Sequence, residues 1–172
     1  MPVRWVLGGA LALAALAACS IDPRALDSGE LRQLIVRGLE EADQENALHF
    51  TEGEAECTAD RVMDAISDDR LKDLGVDEGF GLSTLDFSPR EQDAVFAALQ
   101  ECVDLVDQVS EVLGADADLP EAEARCMAER YVASGPFREA IFAERFDAEL
   151  NQRIDAELAA AAQACGVASA AA

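Results

Sequence analysis

Four cysteines set the strongest constraint on how this 172-residue chain can fold. Glu54-Ala55-Glu56-Cys57-Thr58-Ala59-Asp60-Arg61 matches Glu123-Ala124-Arg125-Cys126-Met127-Ala128-Glu129-Arg130, and Gln100-Glu101-Cys102 matches Gln163-Ala164-Cys165. The cysteine separations within the two frames are 45 and 39 residues. A shared C-x-A-[DE]-R opening and Q-x-C close at similar spacing is what a duplicated helical hairpin leaves in a sequence, with repeats at about 51–114 and 119–166. An even set of cysteines outside the cytoplasm predicts two disulfides. Matching flanks favour Cys57–Cys102 and Cys126–Cys165, one inside each repeat, although the two other pairings also respect the duplication. Zinc is the rival use of four cysteines. No CxxC pair occurs and His49 is the only histidine, so four separate segments would have to converge on the ion; neither a metal nor a cofactor is expected.

The oxidising compartment is inferred from the N-terminus. A short basic start (Met1–Arg4), an apolar stretch (Trp5–Leu16) and small residues ending at Cys19 form the three-part layout of an export signal. The apolar run is too short for the roughly 20 residues that cross a bilayer. Leu16-Ala17-Ala18-Cys19 resembles the site cleaved by lipoprotein signal peptidase, which implies that Cys19 becomes a lipidated N-terminus. Each buried methylene contributes about 0.8 kcal/mol, so two or more acyl chains hold a protein where one holds only marginally. Residues 1–18 are thus read as signal peptide and 19–29 as lipidated cysteine and tether, with Pro23 and Gly29 breaking regular structure. The helical domain is expected over 30–166 and a frayed alanine-rich tail over 167–172. The expected location is the extracytoplasmic face of the cell membrane, or the outer membrane in a Gram-negative cell.

Loss of residues 1–18 removes Arg4 and no acid, so the formal charge falls from -22 to -23. Phosphate binding requires Lys and Arg to displace counterions, and an excess of acids this large excludes nucleic acid as a partner. It also repels an anionic membrane surface, which makes the lipid on Cys19 the means of membrane attachment. The acids are read as solvating an exported domain. Trp5, the only tryptophan, belongs to the signal, and the remaining aromatics are too few for base-stacking platforms.

Lipobox, paired cysteines and the two loose frames together resemble small exported lipoproteins of high-GC Gram-positive bacteria, in which an alanine-rich lipobox precedes a helical region with paired cysteines. The resemblance implies a location and an all-α fold. It transfers no active site.

Helical periodicity is clear along the chain. Leu31, Leu34, Ile35, Leu39 and Ala42 recur at three and four, as on an amphipathic helix. Thr51 with Glu54 reads as a capping box opening a second helix, with Ala55, Ala59, Val62, Met63 and Ile66 on one face and an end or bend before Gly75. Gly75–Phe87 reads as loop. Ser88-Pro89-Arg90-Glu91 is a strong helix start. Val95, Leu99, Cys102, Val106, Val109 and Leu113 then predict one continuous helix to Gly114, roughly 37 Å long. Pro120 opens another, broken at Gly135-Pro136; a shorter segment runs through Phe146, and a last helix ends at Gly166. No alternating β-branched run occurs. The expected fold is an all-α bundle of two disulfide-stapled hairpins. Cys57 and Cys126 lie opposite their own apolar stripes, which fits helices covered on two sides.

Catalytic patterns are missing. His49, between Leu48 and Phe50, is the obvious candidate base, but no nucleophile or orienting group accompanies it in the sequence. Glu40-Glu41 and Asp68-Asp69 diverge by about 100° on a helix and do not converge as glycosidase carboxylates would. Asp116 and Asp118 open like a calcium loop, yet its sixth position is Glu121 and its twelfth Met127. Gly75–Gly81 lacks a following Gly-Lys-Ser/Thr, and no serine sits in G-x-S-x-G. The expected function is therefore non-enzymatic: a binding or interaction module of the cell envelope. A carrier of an apolar ligand between the hairpins is the alternative, and an envelope enzyme using His49 the second.

Overall fold

A computed structural model describes residues 26–41, 48–76, 82, 84–143 and 145–167. The signal, Cys19, residues 20–25 of the tether and residues 168–172 of the tail lie outside the described residues. The described residues form eight α-helices and no strand.

Most helix starts follow from local hydrogen bonding. α1 (Ser28–Glu41) opens inside the stretch read as tether, because the Asp27 carboxylate accepts from the Glu30 N–H at 2.8 Å while Glu30 accepts from the Asp27 N–H at 2.9 Å. Thr51 and Glu54 form the expected capping box of α2 (Glu52–Ala65), and Ser88 and Glu91 form that of α4 (Pro89–Cys102). Between them the expected bend is a true interruption. Ile66 is extended, Ser67 caps α3 (Asp68–Leu74), and Gly75 closes α3 at φ 82°, where a side chain would be strained.

The long helix expected from Pro89 to Leu113 is two helices. Val103 adopts extended angles (φ -127°, ψ 134°), and the Asp104 carboxylate accepts from the Asp107 N–H at 2.9 Å to start α5 (Leu105–Ala117). Apolar periodicity misses this corner because Cys102, Val106 and Val109 keep the spacing of four and three straight through it. Gly114 does not end α5 as expected. It lies within the helix facing Ala124 of α6 (Glu121–Val132), and Asp118 in the left-handed region makes the stop. Gly135-Pro136 opens α7 (Gly135–Phe142), with Ser134 as its cap, and the segment expected to reach Phe146 ends at Phe142. Asp147 caps α8 (Ala148–Ala164), and Gly166 follows at φ 74°.

Packing runs through two helices that are each sandwiched. α2 packs against α1 and α4, and α6 packs against α5, α7 and α8. Cys57 is bonded to Cys102 with Cα atoms 5.6 Å apart, and Cys126 to Cys165 at 5.9 Å. Covering from both sides explains why Cys57 and Cys126 sit off their apolar stripes: the stripe serves the core while the cysteine serves the stapled partner. Across each cysteine frame a long helix, a short helix and a long helix follow in order (α2–α3–α4 and α6–α7–α8), with the outer two bridged, while α5 has no counterpart in the second frame. One connected core unites Leu31, Ile35, Leu39, Val62, Leu71, Val76, Val95 and Leu99 with Ala128, Val132 and Phe137. Rings clamp α7 onto the first half, Phe137 against Phe96 with centroids 6.3 Å apart and Phe142 against Phe87 at 6.1 Å. No helix among the described residues is long and apolar enough to cross a membrane.

Candidate functional site

All four cysteines of the domain are consumed in half-buried bridges, so none is available as a nucleophile or a metal ligand in this state. Among the described residues no cluster of three or more His, Cys, Asp or Glu side chains is arranged to hold a metal ion. Cys19 lies outside them. His49 is exposed, and its backbone is what the fold uses: its N–H donates to Gln108 Oε1 at 3.0 Å, and its carbonyl accepts from Gln108 Nε2 at 2.5 Å. One amide side chain of α5 thereby satisfies both backbone groups of a segment 59 residues earlier. Sequence reading missed Gln108 because a glutamine on a helix carries no signal of a distant partner.

Among the described residues the most strongly perturbed acid is structural. Arg70 of α3 donates through Nε to Glu91 Oε1 at 2.7 Å and through Nη2 to Glu91 Oε2 at 3.0 Å, a bidentate pair, and Nη2 also reaches the Asp86 carbonyl at 3.3 Å. The Arg70 guanidinium, followed by the Ser88 N–H and hydroxyl, holds the Glu91 carboxyl down at about 2, against 4.5 for an ordinary glutamate. A depressed carboxyl stabilises the fold fully above its unfolded value and loses that contribution as pH falls through its folded value. The stability difference between the native protein and Glu91→Gln is therefore expected to be constant at neutral pH, to shrink from about pH 4.5 downward, and to vanish near pH 2. Paired urea titrations across that range measure it; a difference independent of pH would contradict the ion-pair assignment. The paired comparison matters because protonating other acids of this anionic chain relieves self-repulsion over the same range.

Two grooves flank α5. One, of about 420 Å³, follows the α4–α5 corner past Glu101, Cys102, Asp104 and Val106 to Val132 of α6. The other, of about 370 Å³, lies between α5 and α6 and is walled by Asp107, Glu111, Leu119, Glu121 and Arg125. Apart from Val132 and Arg125, their linings come from a stretch with no lysine or arginine between Arg90 and Arg125, while acids recur throughout it. Glu101 is held by Arg61 of α2 at 3.0 Å, and Asp107 stands 3.6 Å from Arg125. The grooves are consequently negative and open to water. Asp116 and Asp118, the acids that open like a calcium loop, are exposed, Asp116 in the last turn of α5 and Asp118 just after it as the helix stop.

No protein-family model matches the sequence, and neither a characterised protein nor a solved structure matches the chain.

Proposed function

We propose that this chain is a lipid-anchored extracytoplasmic lipoprotein whose acidic helical domain is a non-enzymatic binding or interaction module of the cell envelope. The observation that carries the reading is the Leu16-Ala17-Ala18-Cys19 lipobox at the end of a short apolar run, upstream of a domain whose own cysteines are all bridged. Bridges of this kind persist in oxidising compartments, so the two features support the same location from opposite ends of the chain. In this reading Cys19 is the attachment point and the similarity to small lipoproteins of high-GC Gram-positive bacteria is one of envelope architecture. The reading includes a duplication, proposed from the two sequence frames; each frame holds a long, a short and a long helix, and α5 stands outside the match.

A carrier would need a dry cavity between the hairpins, whereas the two grooves described beside α5 are open and lined by acids. Recognition through an envelope protein partner is the reading we retain. Its anchor is tested by expressing Cys19→Ala in the native host. The variant is expected to leave the detergent phase for the aqueous phase, or to accumulate as precursor with residues 1–18 still attached; unchanged partitioning together with an unchanged mature mass would end the proposal. Mature protein should also lack tryptophan emission, since Trp5 departs with the signal.

A further inference from the structure

The two bridges close similar frames over unequal packing. α2 and α4, joined by Cys57–Cys102, contribute Ala55, Ala59, Val62, Val95, Ala98 and Leu99, each no more than 4% exposed and all within the connected core. α8, joined to α6 by Cys126–Cys165, buries only Leu150 and Ala161, and neither belongs to that core. Ile154 and Leu158 are half-buried, and an exposed Arg153–Glu139 pair at 2.5 Å adds little in water. Beyond Leu158 the helix offers only alanines and Gln163. A helix of this length is marginal in water without packing, so its attachment depends on the bridge to an extent that α2 and α4 do not share.

We propose that Cys126–Cys165 is a redox-operated latch on α8. The rest of the domain does not need α8. Phe137 belongs to the connected core and meets Phe96 and Tyr131 edge to face, so α7 remains with the first half when α8 leaves. Phe146, just before α8, is 51% exposed and adds no buried ring to the hold on that helix, which rests on α6 and α7. The reductant is a dithiol protein of the thiol–disulfide exchange class. Its thiolate attacks Cys165 Sγ, which sits at the end of α8 between exposed Ala164 and Gly166. The S–S bond breaks, and Cys126 leaves as a thiolate and takes up a proton. The second thiol of the reductant resolves the mixed disulfide. Two electrons and two protons pass to the cysteine pair, and the reductant ends as a disulfide. Opening uncovers the α6 side bearing Met127 and the Leu150–Ile154–Leu158 stripe of α8, apolar strips that are hidden or half-hidden in the oxidised form. The latch rests on packing alone and is independent of the lipid anchor.

The oxidised mature protein is titrated with dithiothreitol, and each step is read by differential alkylation with peptide mass mapping and by amide hydrogen exchange. Cys126 and Cys165 are expected to label first, with exchange in residues 148–164 rising about tenfold or more while α2, α4 and α5 stay protected. Earlier or simultaneous opening of Cys57–Cys102, or α8 protection that survives reduction of Cys126–Cys165, would overturn the latch. The double variant Cys126→Ser, Cys165→Ser should reproduce the opened α8 in a domain that still melts cooperatively. A variant that fails to fold would equally overturn it, because the latch requires the remainder to stand without α8.

Discussion

Replacing Cys57 and Cys102 together with serine is expected to lower the stability of the whole domain by about 4 kcal/mol. The bridge closes 45 residues of chain, and in the chain-entropy model a loop of that length restricts the unfolded ensemble by about this much. Domains of this size are stable by only about 5–15 kcal/mol, so the loss is a large share of the total. Unlike removal of the second bridge, this change has no detachable element to act on. α2 and α4 are in the connected core, and the destabilisation must appear as a uniform drop in the cooperative transition. The melting temperature is expected to fall by roughly 10 °C, followed by circular dichroism, with the helix content at room temperature preserved. A fall of less than about 3 °C would mean that the bridge merely decorates an already sufficient interface. Both cysteines are changed so that no free thiol remains to exchange with Cys126 or Cys165.

Leu99→Ala is expected to cost about 3 kcal/mol. Leu99 is fully buried in α4 within the connected core. Truncation removes its apolar transfer energy and leaves a void that neighbouring helices, one of them pinned by a disulfide, close only in part. The matched control is Phe146→Ala at the exposed ring before α8, which should change stability by less than about 0.5 kcal/mol. Urea unfolding separates the two, and the slope should stay constant for both. A cost at Leu99 under about 1 kcal/mol would mean that α4 does not sit at the centre of the core.

The features legible in the sequence are those whose physical cause lies within a turn or two of the chain. Thr51 and Glu54, and Ser88 and Glu91, satisfy each other's backbone N–H groups three residues away, so those helix starts can be read without any fold. The cysteine pairing was legible only in part: matching flanks favoured Cys57 with Cys102 and Cys126 with Cys165 but left the two other pairings open, and the structure bonds the favoured pairs. The all-α class was legible from the spacing of apolar residues.

Tertiary structure decided the rest. Val103 looks like the next rung of an apolar stripe, and only the turn of the chain onto α6 makes it a corner, with Asp104 supplying the lost hydrogen bond. Arg70 and Glu91 are 21 residues apart, and Gln108 and His49 are 59 apart; nothing in either residue type names its partner. Thr58 is fully buried with no hydrogen-bond partner for its hydroxyl among the described residues, a cost that appears only once α1 and α4 have closed over α2. The unequal hold on α8 is of the same kind. The two cysteine frames are alike in sequence, but burial is set by what else packs there, and the sum of contacts from distant segments is not written at any one position.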